Sequence, residues 1–351
     1  MPASSQARSL GVVALLSPDT TRVAAQRDGQ LVVWTRAGVK LRATPNRSPL
    51  RGALAKGALV GVVSGKLVLR RGDRYQKTLR LRLPKGVLTV LRTAVSPDGR
   101  VAAVLYAVDG GAGDATAVSF FDGRSGRGLG RVVLARGRLF GVSFSRDARR
   151  VALFGDIGRQ TAWVEVHTLL RARGCRAKRC RVKEGARATI RRLSRWQSAR
   201  DKTVFSTALS PDGQRVAVGA GRRLVLLEAK TGKLLRSRPT RATLALFPPR
   251  LRRLVPRFPG AHQLVFSHDG KSLAVLHAFG VSGVARWDVA GLRPRAWLTR
   301  PQSQGLLRQL AFTRGGALWL VTAGLGASVE LFEASGRRFV RRRSLALPGG
   351  S

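Results

Sequence analysis

The chain has 351 residues, 44% of them hydrophobic, with 40 glycines and only two cysteines. That length and apolar content suit one large all-β domain with a substantial core, and two cysteines exclude a small scaffold stapled by disulfides. Lys and Arg number 65 against 18 Asp and Glu, a net charge of +47; like charges repel in a compact state, so an excess of this size points to a polyanionic partner.

A GC-rich coding sequence would also enrich Arg, Ala, Gly and Val. It explains less well why only Glu165, Glu184, Glu228, Glu330 and Glu333 remain. No run of 18 apolar residues occurs, so no transmembrane helix is expected. The stretch Leu10 to Leu16 lacks a basic flank and a small-residue cleavage site, and reads as a first strand rather than a leader. On that reading the protein is expected in the cytoplasm.

In chain order, the first strand runs into Ser17-Pro18-Asp19, and a further strand follows at Leu31 to Trp34. Ala55-Lys56-Gly57 is a weaker copy of the same turn, followed by Leu67 to Arg70 and the alternating segment Leu79-Arg80-Leu81-Arg82-Leu83. The turn returns as Ser96-Pro97-Asp98-Gly99 before Val118 to Asp122, and as Ser145-Arg146-Asp147 before Trp163 to His167. Ser210-Pro211-Asp212-Gly213 precedes Leu224 to Glu228, and Ser267-His268-Asp269-Gly270 precedes Val284 to Asp288. Thr313-Arg314-Gly315-Gly316, a degenerate copy, precedes Ser328 to Glu333. Pro presets φ at the first corner, Asp bonds its own backbone, and Gly accepts positive φ, so each copy joins two antiparallel strands. Seven copies, each followed by alternating strands and turns, predict seven four-stranded blades.

These repeats resemble the WD40-like propeller repeats of the bacterial type, in which the Ser-Pro-Asp-Gly turn is prominent. The resemblance covers about residues 10–347 and implies a single seven-bladed β-propeller, with residues 1–9 and 348–351 as tails. Trp287-Asp288 is the one literal Trp-Asp pair, with Phe121-Asp122, Leu227-Glu228 and Phe332-Glu333 as looser equivalents. The Gly-His pair that usually precedes each repeat is missing, which leaves the family's His-Asp network in doubt. The chain starts at an innermost strand and ends at an outermost one, Phe339 to Leu347. The seventh blade is then one contiguous segment, and the ring closes by packing alone or with an edge strand from residues 1–9.

Two spacings exceed a blade period, and both insertions are basic. The first, about 170–203, holds Arg171, Arg173, Arg176, Lys178, Arg179, Arg181, Arg191, Arg192 and Arg195. Thr189 to Leu193 matches the outer-strand pattern, so Leu169 to Gly185 is expected as a basic loop, with Trp196 just beyond the outer strand. There Trp196 either stacks on a base or packs on the blade edge. The second, about 236–260, holds Arg250, Arg252, Arg253 and Arg257, no acid, and Pro248-Pro249, Pro256 and Pro259, which predict a stiff, non-helical connection. Charged outer strands also prevent edge-to-edge aggregation, so any single arginine there has a structural account.

Cys175 and Cys180 with His167 fall short of a four-ligand zinc set, and no metal or cofactor is expected. The four histidines and the turn aspartates compose no catalytic arrangement, so an enzyme is not expected. The expected function is binding of a polyanion, foremost the phosphate backbone of DNA or RNA with little sequence preference. The alternatives are a scaffold docking an acidic protein and attachment to an anionic surface. The ring is expected as a monomer or as a subunit of a larger complex.

Overall fold

The computed structural model describes residues 13–346 except 18–19, 28–29, 46–51, 56, 64–65, 73, 110–114, 135–137, 158–160, 171–188, 199–202, 248–259, 278–282, 300–305, 324–327 and 336. Seven four-stranded antiparallel sheets form a seven-bladed ring, each sheet from one contiguous stretch of chain. Blade one is β1 to β4 (Val13–Leu16, Arg22–Arg27, Gln30–Thr35, Lys40–Pro45), and blade two is β5 to β8 (Gly52–Ala55, Ala58–Val63, Lys66–Arg71, Lys77–Arg80). Blade three is β9 to β12 (Val87–Val95, Val101–Val108, Ala115–Asp122, Gly128–Leu134), and blade four is β13 to β16 (Arg138–Phe144, Arg150–Ile157, Thr161–Leu170, Thr189–Ser198). Blade five is β17 to β20 (Val204–Leu209, Arg215–Ala220, Arg223–Glu228, Leu234–Pro239), and a 3₁₀ helix, Thr240–Leu246, follows it. Blade six is β21 to β24 (Gln263–Phe266, Ser272–His277, Gly283–Asp288, Arg293–Thr299), and blade seven is β25 to β28 (Leu306–Phe312, Leu318–Ala323, Ser328–Ser335, Arg338–Ala346).

The recurring turn joins the first and second strands of each blade, which places all seven copies on one face of the ring. Its side chains form one repeated clasp. In blade three the Ser96 hydroxyl donates to Asp98 Oδ1 (2.6 Å) and accepts from the Val101 N–H (2.9 Å), while Asp98 Oδ1 also accepts from the Arg100 N–H (3.0 Å). The same clasp holds Ser145 to Asp147, Ser210 to Asp212 and Ser267 to Asp269, at 2.7, 2.5 and 2.5 Å. The fourth position takes positive φ: 68° at Gly99, 69° at Gly213 and 69° at Gly270. Thr20 and Ala148 hold the same conformation without glycine, at φ 58° and 57°, a strain of about 1 kcal/mol or more each.

The core is not central but divided among the blade interfaces. Ala152 and Val164 of blade four pack with Val216 and Val225 of blade five, and the Trp287 side chain of blade six packs with Leu224 and Leu226 of blade five. The other interfaces follow suit, so that seven clusters serve seven interfaces. Blades are therefore apolar on both faces, which is why the third strands read as continuous hydrophobic runs such as Leu224-Val225-Leu226-Leu227.

Ring closure follows the expectation from chain order: β1 is innermost in blade one, β28 is outermost in blade seven, and no described strand is exchanged. Packing is not the whole of it. Trp34, Trp319, Val321 and Leu331 bury the apolar surface across the seam. Gln309 Oε1 accepts the Leu16 N–H at 2.7 Å, and the Arg36 guanidinium lies 4.9 Å over the Trp319 ring. Gln263 Oε1 does the same for the Leu310 N–H at 2.9 Å, one blade earlier. Residues 1–9 lie outside the described residues.

Six of the seven outermost strands carry a bulge just after they leave the third strand. The register slips opposite Val33/Trp34, Phe120/Phe121, Val166/His167, Leu226/Leu227, Arg286/Trp287 and Leu331/Phe332. A bulge twists an edge away from a straight ladder, so it adds to charge as protection against edge pairing.

Two outcomes test this account. Trp319→Ala should cost about 3–5 kcal/mol, read as a fall in the chemical-denaturation midpoint, whereas Ser267→Ala should cost about 1–2 kcal/mol through disruption of the clasp. Burial pulls the Asp212 carboxyl upward, but the Ser210 hydroxyl, the Gln214 N–H and Arg215 outweigh it and hold its pKa low; Asp269 is held low by the Ser267 hydroxyl and the Lys271 N–H. A native pKa below the unfolded value of about 3.9 stabilises the fold above that value and ceases to do so as pH drops through the native one. Melting temperature should therefore decline below about pH 4, and less so in an Asp212→Ala/Asp269→Ala variant.

Candidate polyanion-binding surface

The ring's circumference is where the outermost strands put their side chains. Exposed cations stand on all seven of these strands: Lys40 on β4, Lys77 and Arg80 on β8, Arg131 on β12, Arg191, Arg192 and Arg195 on β16, Lys233, Arg236 and Arg238 in and just before β20, Arg293 and Arg295 on β24, and Arg338 with Arg341 to Arg343 on β28. The local cause is the pattern of each strand. In β28, Phe339 and Leu345 turn inward, and the bulge at Arg342 lets three successive arginines face water.

Acids neutralise only part of this band. Arg341 Nη1 lies 3.1 Å from Glu330 Oε1, and Arg342 Nε lies 2.9 Å from Glu333 Oε2. Even if each of the 18 acids cancelled one cation, 65 − 18 = 47 cations would stay uncompensated. Some cations serve the ring itself. Arg150 Nη1 donates to the Gly213 carbonyl of the next blade at 2.6 Å, and Arg71 Nη1 donates to the Gly123 carbonyl.

Blade four holds the densest network. The Glu165 carboxylate, only 5% exposed, accepts from His167 Nε2 at 3.1 Å and sits 3.3 Å from Arg192 Nη1 and 3.6 Å from Arg195 Nε. Burial alone would raise its pKa. The His167 hydrogen bond and the charges of His167, Arg195 and Arg192 outweigh burial and hold it below the usual range.

The structure places the sequence-predicted residues as follows. Arg191, Arg192 and Arg195 lie exposed on β16, with the latter two turned to Glu165. Trp196 corrects the sequence reading: it lies within β16, opposite Val164, half-buried against the blade four–five core, because β16 runs on to Ser198. Arg171, Arg173, Arg176, Lys178, Arg179, Arg181, Arg250, Arg252, Arg253 and Arg257 lie outside the described residues, as do Cys175 and Cys180.

The second insertion is corrected too. Arg236 and Arg238 belong to β20, and the connection begins with the 3₁₀ helix Thr240–Leu246, contrary to a wholly non-helical segment. Thr240 and Thr243 are buried in it, and the Phe247 ring packs at a tilt of 48° against Trp297 with centroids 4.8 Å apart. Local propensity hides this turn, since its Thr and Arg residues carry no periodic signal. Sequence reasoning misses Lys233, Arg131, Arg293 and Arg295 as surface residues; the alternation of charge within each outer strand is the signal that could find them.

The two insertions open on opposite faces. The Leu169 N–H donates to the Arg149 carbonyl beside the recurring turn, so segment 171–188 leaves and re-enters at the turn face. The Thr240 N–H donates to the Arg222 carbonyl at the far end of the blade, so the second insertion starts from the other face.

Among the described residues no group of three or more His, Cys, Asp or Glu could hold a metal ion, and no helix is long and apolar enough to cross a membrane. Compared with known proteins, the chain matches no family model and no curated protein.

Glu165→Gln should lower stability by about 1–2 kcal/mol, because two of its three partners reach solvent. It should also tighten binding of a generic polyanion such as heparin by releasing Arg192 and Arg195, measured by fluorescence anisotropy.

Proposed function

We propose that this ring, whose turns resemble those of WD40-like repeats, is a non-enzymatic binder of nucleic acid that grips the phosphate backbone with its circumference. The observation that supports the reading most is the band of exposed Arg and Lys on the seven outermost strands. A rigid ring holds those cations at fixed spacing, so several phosphates can be neutralised together and counterions released. Arginine dominates the band, and its planar fork suits phosphate oxygens. Binding of this kind positions the partner without reading bases. Edge protection accounts for a charge or two per strand, not for Arg341, Arg342 and Arg343 in succession.

Titration of fluorescent duplex DNA and single-stranded RNA over a salt series tests this. With six to ten phosphates neutralised, affinity should fall by roughly 10³–10⁵ between 50 and 200 mM salt. The variant Lys233→Ser/Arg236→Ser/Arg238→Ser should make the slope of log K against log salt shallower by roughly 0.9 for each phosphate that it no longer neutralises. A profile indifferent to salt would overturn the reading.

A further inference from the structure

The circumference leaves the ring axis unexplained. The innermost strands β9, β13, β17, β21 and β25 enclose a cavity of about 350 Å³ near the turn face. Each of these strands is hydrogen-bonded on one side only, so its other ladder edge faces the axis. The wall is mainly apolar, with Val142, Leu209, Phe266 and Phe312 among the lining residues. The Ser143 and Thr207 hydroxyls, 3.1 Å apart, interrupt it.

The rim is made by the second position of the recurring turn. Two copies place Pro97 and Pro211 there, as turn geometry favours. Three others place Arg146, His268 and Arg314, residues that the turn does not require. Asp98 is the single acid among the lining residues, and its carboxylate already accepts from the Ser96 hydroxyl and the Arg100 N–H and lies 3.5 Å from Arg100 Nε. Arg146 and Arg314 are exposed, and neither forms an ion pair with a described acid.

We propose that this axial cavity binds a small amphipathic anion, with a phosphate or carboxylate head at the Arg146 and Arg314 rim and an apolar body against the inner-strand wall. Small-molecule sites are concave, largely apolar and a few hundred Å³ in volume, with a few charged groups that fix orientation. Guanidinium groups supply charge-assisted, often bidentate, hydrogen bonds to such heads. The proposal shares no residue with the circumferential band and does not depend on nucleic-acid binding.

Isothermal titration of the full chain with octyl phosphate and octanoate at physiological salt tests it, with inorganic phosphate and octanol as controls. Both amphiphiles should bind at a single site, at least tenfold tighter than either control. Arg146→Ala/Arg314→Ala should weaken them at least tenfold, with melting temperature and duplex DNA affinity unchanged within error. Four results would overturn the proposal: many weak sites per chain, octanol binding as tightly as octyl phosphate, inorganic phosphate binding as tightly, or unaltered binding in the double variant. The octanol comparison uses the unaltered protein, so it decides the matter even if the variant fails to fold. A flat salt profile for DNA alongside single-site octyl phosphate binding would reject the nucleic-acid reading alone.

Discussion

A four-stranded sheet that is apolar on both faces cannot stand in water by itself; it needs a neighbour on each side. That constraint governs this ring. Each of the seven core clusters lies between two blades, so no blade owns a complete core. Among the described strands none is exchanged between blades one and seven, and the contacts seen across the seam between β1 and β25 come from side chains. Trp34 and Trp319 fill the seam, Gln309 Oε1 accepts the Leu16 N–H, and Arg36 covers the Trp319 ring. The Gln263 bond to Leu310 shows the same device at a neighbouring interface. A side-chain amide thus ties the innermost strands of neighbouring blades at the seam as it does at an ordinary interface.

The same constraint dictates where the charge goes. Both faces of every blade are committed to neighbours, which leaves the turn faces, the axis and the outermost edge for polar groups. The outermost edge carries exposed cations on every blade, and there charge and bulges combine. One cation does fall inside: Arg70, 6% exposed on β7, has its pKa lowered first by burial and then by Arg42 on the neighbouring blade. The blade one–two interface that contains it also has the smallest cluster of buried apolar residues among the described residues, six in number. Net charge of this size weakens a compact state, and packing between blades carries the opposing burden.

The architecture is legible in the sequence because its signal is local and repeated. Ser-x-Asp-Gly needs only five neighbouring residues to build its clasp, so Ser96, Ser210 and Ser267 can be read directly. The third strands are legible because burial on both faces writes an unbroken apolar run. Trp287-Asp288 is legible as a pair, and the structure shows its local use: Trp287 is fully buried and Asp288 Oδ2 accepts the Gly291 N–H at 2.7 Å to shape the following turn. Trp196 is misplaced by sequence because the outer strand β16 is ten residues long, and nothing in its alternation marks where it ends. The helix at Thr240–Leu246 escapes sequence reading because its stability comes from burial of Thr243 and Phe247 against blade six rather than from propensity. The axial rim is invisible for a different reason. Arg146, His268 and Arg314 each read as a lapse from the Pro of a turn, and only ring closure brings turns 122 and 46 residues apart to one cavity (268 − 146 and 314 − 268).

Topology then bears on how a long polyanion could use the two basic insertions together. Segment 171–188 leaves from the face that carries the recurring turns, and the connection after β20 leaves from the opposite face. A ligand lying flat on one face would meet the base of only one of them. A strand that meets both bases has to cross the thickness of the ring, and the exposed edge between them is built from β16 and β20 of adjacent blades. Arg191 and Arg195 on β16, then Arg236 and Arg238 on β20, line that crossing. The circumference is thus the surface that separates the bases of the two insertions, and under the proposed function the cations of β16 and β20 are the described charges a ligand would meet in crossing it.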